Sequence, residues 1–553
     1  MGSPSDPGIA PARPPGRNLL RYFRPSHEHS AFSATLLLMS AVMLSRIIGY
    51  LREAYIAYAF GAGPQTDAYV AAFTLPDWLN YLVAGGTASI TFISIYTRFL
   101  AEKREDEAQK TFSIIITVMT TVLIIGIGLT ELFAFNIERH LFPHFTYEQL
   151  RLCVHLTRIL LPAQVFFYVG GVVSAVLLSR RLFLFPALGP LLYNVFIILG
   201  GALLSRRLGI SSLAYGALAG SFVGPFLVNA IGARRVGTGY RPMFDLTNPA
   251  FMEWVKLSIP LMLGVSLVTA DDWILRFFAS GSAGDITRLN YAKRLFAVPM
   301  AVLGQATGQA SLPFFARLIG ERRMDEFRDT VNASVYRISA VSFLFSAWMI
   351  AAALPFVDLV YRRGRFTFSD SRETALYFAW FAVSLAFWSA QALYARAFYA
   401  AGNTLTPMLA GTAITFASLP IYSVLFHRFS IVGLAMASDL GILANTLALA
   451  IWLHRERLVS MSHLPWRELG KAVFTAIFAG VLSYGVAQAV KVTGSRLSDV
   501  EALAMVSVTW AAAVAMGLWA TGSELPASLR RRGQRTSYPH VAEKHAEDMR
   551  IEP

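Results

Sequence analysis

Apolar residues run along this chain in blocks of roughly twenty or more, separated by short polar connections. A helix rising about 1.5 Å per residue needs about 20 apolar residues to cross the roughly 30 Å hydrocarbon layer, so each block predicts one crossing. Fourteen are expected, near residues 32–60, 66–98, 111–135, 150–178, 184–204, 211–233, 250–279, 285–316, 329–355, 373–400, 405–426, 431–453, 468–490 and 499–521. The expected fold is all-α: a polytopic membrane protein of about 14 transmembrane helices in two six-helix lobes plus a C-terminal helix pair. The lobe division is inferred from the span count, because transporters are commonly built from structural repeats around a midplane site. It gives an N-terminal tail (1–30), a first lobe (31–234), a second lobe (235–454), a helix pair (455–522) and a C-terminal tail (523–553).

Composition sharpens this picture. Of 553 residues, 55% are hydrophobic and 15% charged, and the mean hydropathy of +0.50 lies far on the apolar side for a water-soluble protein. The single cysteine, Cys153, excludes an internal disulfide and any multi-cysteine metal site. Residues 1–30 contain Pro, Arg and Ser without an apolar core, so they read as a mobile tail rather than a cleaved signal.

The net charge of +14 does not point to nucleic acid, because the basic residues fall largely in short connections. Arg98, Lys103, Arg104 and Lys110 occupy the second connection, Arg234, Arg235 and Arg241 the sixth, and Arg317, Arg322, Arg323 and Arg328 the eighth. By the positive-inside rule these loops are cytoplasmic, and an even span number puts both termini on that side. No connection is long enough to fold as a soluble domain, so the function sits within the membrane or at its faces. The spacings Gly216-x-x-x-Gly220 and Gly304-x-x-x-Gly308 allow close helix packing and carry no further message.

Charges inside the apolar blocks are the strongest functional clue. Each costs at least about 2.5–3.5 kcal/mol near the bilayer centre, so it persists only with partners or water. Arg46 and Glu53 are seven residues apart in LSRIIGYLREA and share a helix face; Gly49 between them allows a bend that would turn Arg46 and Arg52 toward one cavity. Arg52 and Glu53 also fit a second reading, a helix end snorkelling at the interface. Asp67, after GAGPQT, either caps the helix it opens or serves a site. Further along stand Asp271, Asp272 and Arg276, then Lys293 and Arg294; one of each adjacent pair faces any cavity, and Asp272 and Arg276 have the spacing of an intrahelical ion pair. Asp439 lies alone in MASDLGILAN. A wet cavity lined by arginine suits a phosphate or diphosphate, which guanidinium binds bidentately.

The stretch SRIIGYLREAYIAYAFGAGPQTDAYVAAFTLP, with NYAKRLFAVPMAVLGQATGQASLP, VYRRGRFTFSD and RAFYAAGNTLTP, resembles the MurJ/MviN family of lipid II flippases, within the multidrug, oligosaccharidyl-lipid and polysaccharide exporter superfamily. The resemblance covers most of residues 32–454. It implies a fourteen-helix, two-lobed fold around a cationic cavity, with a groove for a lipid tail near the last two helices. Arg46, Arg52 and Arg294 match family arginines held important for substrate, Asp67 an important acidic position, and Glu53 a position where aspartate is usual. This chain departs from the family where Asn80 and Tyr81 replace an arginine pair, Gly85 replaces a glutamate, and Lys293 stands at a commonly acidic or neutral position, supplying a cation in place of the one lost at Asn80.

The expected function is therefore movement of lipid II, the undecaprenyl-diphosphate-linked peptidoglycan precursor, across the bacterial cytoplasmic membrane. Arg46, Arg52, Arg294, Asp67, Glu53, Lys293 and Asn80 are the expected substrate site. No cofactor is expected, and no nucleotide, since no G-x-x-x-x-G-K-[ST] motif occurs. The membrane potential or a Na⁺ or H⁺ gradient would drive transport, with Asp271, Asp272 and Asp439 as the candidate cation site. The rivals are an exporter of another polyprenyl-linked saccharide or of a cationic drug, a membrane glycosyltransferase, and a non-transporting scaffold of cell-wall machinery.

Overall fold

The computed structural model describes residues 31–81, 86–263, 267–490 and 495–534. The expected N-terminal tail, Gly85 and the end of the C-terminal tail lie outside them. Every described element is helical.

The first half comprises α1 (Ala31–Phe60), α2 (Pro64–Ala71), α3 (Thr74–Leu79), α4 (Gly86–Ala101), α5 (Glu105–Leu141), α6 (Tyr147–Leu160), α7 (Ala163–Ser179), α8 (Leu184–Leu208), α9 (Ser211–Ser221) and α10 (Asn229–Arg235). The second comprises α11 (Pro249–Leu263), α12 (Leu267–Ala279), α13 (Asp285–Pro299), α14 (Thr307–Gly320), α15 (Met324–Ala351), α16 (Ala353–Tyr361), α17 (Phe368–Val383), α18 (Leu385–Ala400) and α19 (Leu405–Arg455). Helices α20 (Trp466–Ala489), α21 (Arg496–Ala520) and α22 (Leu525–Gln534) complete the chain.

Each expected crossing falls on one of these helices or on a run of them broken by a short joint. Among the described residues eight helical segments are long and apolar enough to span a bilayer, α6 with α7 and α9 with α10 each counting as one, and a ninth results if α17 and α18, bent by 42°, are joined. Fewer pass than the fourteen apolar blocks because α19 carries two of them and the blocks at 66–98 and 250–279 are divided among shorter helices. Pro162 parts α6 from α7, and Pro225 lies in a π-helical turn (Phe222–Val228) between α9 and α10. The 51-residue α19 merges two expected crossings: Ser430 takes φ 54°, ψ −140°, and a Cβ on Gly433 would fall 2.1 Å from the Leu425 carbonyl oxygen, so the chain reverses there. The spans expected at 405–426 and 431–453 are therefore the arms of a hairpin.

Close packing follows the small residues. A Cβ on Gly216 would come 2.6 Å from the Phe196 carbonyl, and one on Gly220 2.9 Å from that of Tyr193, so α9 touches the α8 backbone along the expected glycine face. The C-terminal pair α20 and α21 packs on α15, where Trp510 donates to the Leu344 carbonyl at 2.8 Å and Trp348 to Ser507 at 2.9 Å.

Candidate functional site

A cavity of about 420 Å³ opens between α1 and α8 on one side and α13, with the π-helical turn Met300–Ala306 that follows it, on the other. Arg46, Arg52, Glu53, Tyr193, Asn194 and Arg294 supply most of its polar lining. Helix α1 continues past Gly49, which packs against the Asn194 amide, and Arg46 and Arg52 both line the cavity.

Arg52 donates to Asn194 Oδ1 at 2.9 Å and to Glu53 Oε1, and Arg294 Nε stands 3.7 Å from that same oxygen. Glu53 is thus buried between two guanidiniums. Arg46 is exposed to the cavity and forms no ion pair among the described residues. Two of the three guanidiniums share one carboxylate, and the cavity is left with two net positive charges for an incoming anion.

The face at which α1 ends is closed. Asp67 is 1% exposed and turned away from the cavity. It caps no turn of its own α2; its Oδ1 accepts from the Thr287 N–H at 2.9 Å and hydroxyl at 2.7 Å, and its Oδ2 from the Gly284 N–H. Gly284 is the N-cap residue of α13 and has no side chain to offer, so a carboxylate from the other half of the chain does that work, favoured by the helix dipole. Beside it the Arg365 N–H donates to the Tyr58 carbonyl at 3.0 Å, an approach open only because Gly364 lacks a Cβ. Arg288, tied to Asp285 at 2.9 Å, Asp370 at 2.8 Å and Glu373 at 2.7 Å, binds α13 to α17. The sequence showed no sign of this layer beyond Asp67.

The second charged group is self-contained. Lys293 points away from Arg294 and reaches Asp271 at 2.6 Å and Asp272. Asp271 also accepts from the Tyr422 hydroxyl and from Ser438 at 3.0 Å. The expected Asp272–Arg276 pair along the helix does not form; Arg276 crosses to the first half, donating to Thr74 at 3.0 Å and Asp77 at 3.4 Å. Distance across the fold, not helical spacing, decided these partners. Asp439 is 8% exposed; the Ser384 hydroxyl lies near it, and neither carboxyl oxygen has a well-formed hydrogen bond among the described residues. Asn80 ends α3 outside the arginine cavity. Sequence reasoning missed Asn194 and Tyr193, although a lone asparagine in the apolar run LLYNVFIILG was the available signal.

An apolar groove of about 570 Å³ lies between α15 and α20, lined by Phe343, Ala347, Ile350, Phe387, Ile477 and Tyr484 among others. It lies beside α20, the first helix of the C-terminal pair.

A helical membrane protein whose two halves enclose a cationic cavity, sealed toward one face, belongs to the class of multi-pass transporters. Within that class the chain belongs to the MurJ lipid II flippase family, whose model, "Lipid II flippase MurJ", matches residues 56–528. Its relatives include the lipid II flippase MurJ of Burkholderia cenocepacia, 26% identical over 521 residues that cover 91% of this chain and 99% of the relative. The probable lipid II flippase MurJ of Synechocystis is 25% identical over 466 residues, covering 80% and 85%. Among solved structures, a lipid II flippase MurJ in an inward closed conformation superposes with a TM-score of 0.72 at 21% identity, covering 87% of this chain and 99% of that one. An inward-facing multidrug MATE transporter gives 0.62 at 14% identity, covering 76% and 98%. Both likenesses are of fold.

Proposed function

We propose that this chain flips lipid II from the inner to the outer leaflet of the bacterial cytoplasmic membrane by alternating access, without chemical change to the lipid. The observation that carries the reading is the arginine cavity: two uncompensated positive charges within the membrane, in a member of this family. A diphosphate brings two or more negative charges and acceptor oxygens for each guanidinium fork. On its arrival Glu53 would yield Arg294 first, since that contact is the longer, and would stay with Arg52. The undecaprenyl tail would lie along the apolar groove beside α20.

With both termini assigned to the cytoplasm, the face sealed by Asp67, Tyr58 and Arg365 is the outer one, and this structure represents the state that receives substrate from inside. Opening the outer face means breaking the Asp67 cap on α13 and parting the Tyr58–Arg365 bond. An inside-negative potential favours outward movement of an anion by about 2.3 kcal/mol per charge per 100 mV. Should a gradient cation contribute as well, Asp439 is its best-placed ligand in the second lobe, because Lys293 already occupies Asp271 and Asp272.

The test is exposure of lipid II on the outer face of cells depleted of their own flippase and supplied with this chain or its Arg294→Ala variant. Restoration by the parent and not by an equally expressed variant supports both substrate and cavity. No restoration by the inserted parent refutes the substrate. The cavity reads a diphosphate, which other polyprenyl-diphosphate-linked saccharides share; competition between purified lipids for the chain separates them.

A further inference from the structure

Glu138 has no place in the cavity or in the contacts that seal the outer face. It sits in the last turn of α5, is 1% exposed and forms no ion pair among the described residues. One carboxyl oxygen, Oε1, contacts the Thr157 hydroxyl of α6; the other has no nitrogen or oxygen donor, only the Cys153 thiol alongside the group. The Thr157 hydroxyl also lies 3.1 Å from the carbonyl oxygen of Ala72, at the joint between α2 and α3.

Counting hydrogens decides the charge. A hydroxyl has one hydrogen to give, and a carbonyl can only accept. The Ala72 carbonyl cannot receive the usual helical bond, because the residue four positions on is Pro76, which has no N–H. Thr157 supplies the missing donor. The contact between Thr157 and Glu138 then needs a hydrogen of its own, and the carboxyl is the only source. An ionised carboxylate here would be buried with one hydroxyl and at most a weak thiol donor, and with Arg158 nearby but not in ion-pair contact, which the apolar surroundings penalise heavily.

We propose that Glu138 is a proton-binding site of the first lobe, protonated in this outward-closed state, and that release of its proton loosens the outer seal. When the Glu138 O–H breaks, the proton leaves to water at the outer face and the carboxylate draws the Thr157 hydrogen to itself. The Ala72 carbonyl loses its donor, and the α2–α3 joint weakens. Helix α3 carries Thr74 and Asp77, the residues that hold Arg276 of the other half, so the loss is passed to a contact between the lobes. The titratable groups facing Glu138 are Cys153 and Arg158 of α6; α2 and α3 present Asp67 and Asp77, which are engaged by α13 and by Arg276. The proposal rests on the lobes parting at this face and not on which lipid is carried.

The test uses the full chain in lipid nanodiscs, spin-labelled at Tyr147→Cys and Phe368→Cys, exposed positions on the two halves at the outer face. Cys153 stays buried and unlabelled. Without any substrate, pulsed electron resonance between roughly pH 5 and 9 should show a separated population that grows as pH rises and is lost in Glu138→Gln, which stays closed throughout. An equal pH response in parent and Glu138→Gln overturns the proposal, as does a parent that does not respond. Should that variant fail to insert, infrared spectra of the parent and Thr157→Val decide: the carbonyl stretch of a buried protonated acid should be present and should move when the hydroxyl is removed. Absence of the band, or a band that does not move, overturns it. A chain that moves no lipid II would still give this titration, so the two failures are separable.

Discussion

Arg294 and Lys293 are neighbours in sequence and opposites in circumstance. Arg294 turns into the cavity with more than half of its side chain exposed, its only ion pair among the described residues a 3.7 Å contact to a carboxylate already held by Arg52. Lys293 turns the other way and is fully engaged by Asp271 and Asp272. A charge inside a membrane protein announces a function only when its partners are too few. The arginine cavity has cations to spare, whereas the lysine is saturated by its two carboxylates and holds α12 to α13.

Replacing Lys293 tests that contrast most severely. Lys293→Met leaves Asp271 and Asp272 without a counter-charge, and breaking a buried pair costs about 3–5 kcal/mol. The expected outcome is a marked fall in melting temperature of the purified protein, largely restored when Asp271→Asn and Asp272→Asn are added. Arg294→Ala should leave melting nearly unchanged, because an exposed ion pair contributes only about 0–1 kcal/mol. Equal melting losses from the two variants would erase the distinction.

The next effect belongs to the cavity. Removal of Arg294 or Arg46 takes away charge-assisted bonds worth about 1.5–3 kcal/mol, so binding of a diphosphate lipid should weaken roughly 10- to 100-fold, with the fold intact. Lys293→Met with its two asparagine partners should bind that lipid as the parent does. Calorimetry or a fluorescent lipid competitor would read both; undiminished binding by Arg294→Ala removes the cavity from the mechanism.

Asp67→Ala should release the α13 cap at the sealed face, again about 1.5–3 kcal/mol per charge-assisted bond, and shift the protein toward a state open at that face. Label distances across that face would show it. An unchanged distribution would mean that the Tyr58–Arg365 zipper suffices alone. The smallest expected change comes from the groove: Gly480→Leu, pointed at α15, adds a few apolar carbons to the tail path and should weaken long-chain lipids by roughly three-fold while sparing a short-chain diphosphate. Equal weakening of both lipids would place the tail elsewhere.

Of the candidate site, the arginines were legible because an isolated guanidinium in an apolar run violates the pattern around it, and the violation survives any fold. The partners were not. Helical spacing paired Arg276 with Asp272, and the fold gave it Asp77 on another helix instead. Asp67 offered local capping or a site, and it caps a helix that begins 218 residues later in the numbering, at Asp285. Glu138 passed unnoticed in NIERHL, since a carboxyl near a helix end looks like any solvated terminus until burial and hydrogen count are known.

Periodicity and composition by themselves determined that this chain lives in a bilayer, how many apolar blocks it has, and which charges are out of place, because those properties depend on transfer free energies of local segments. Only the tertiary structure decided which charges neutralise one another, which face is shut and which carboxyl keeps its proton. Those outcomes depend on distances of a few ångströms between segments far apart in the chain, and no local pattern encodes them.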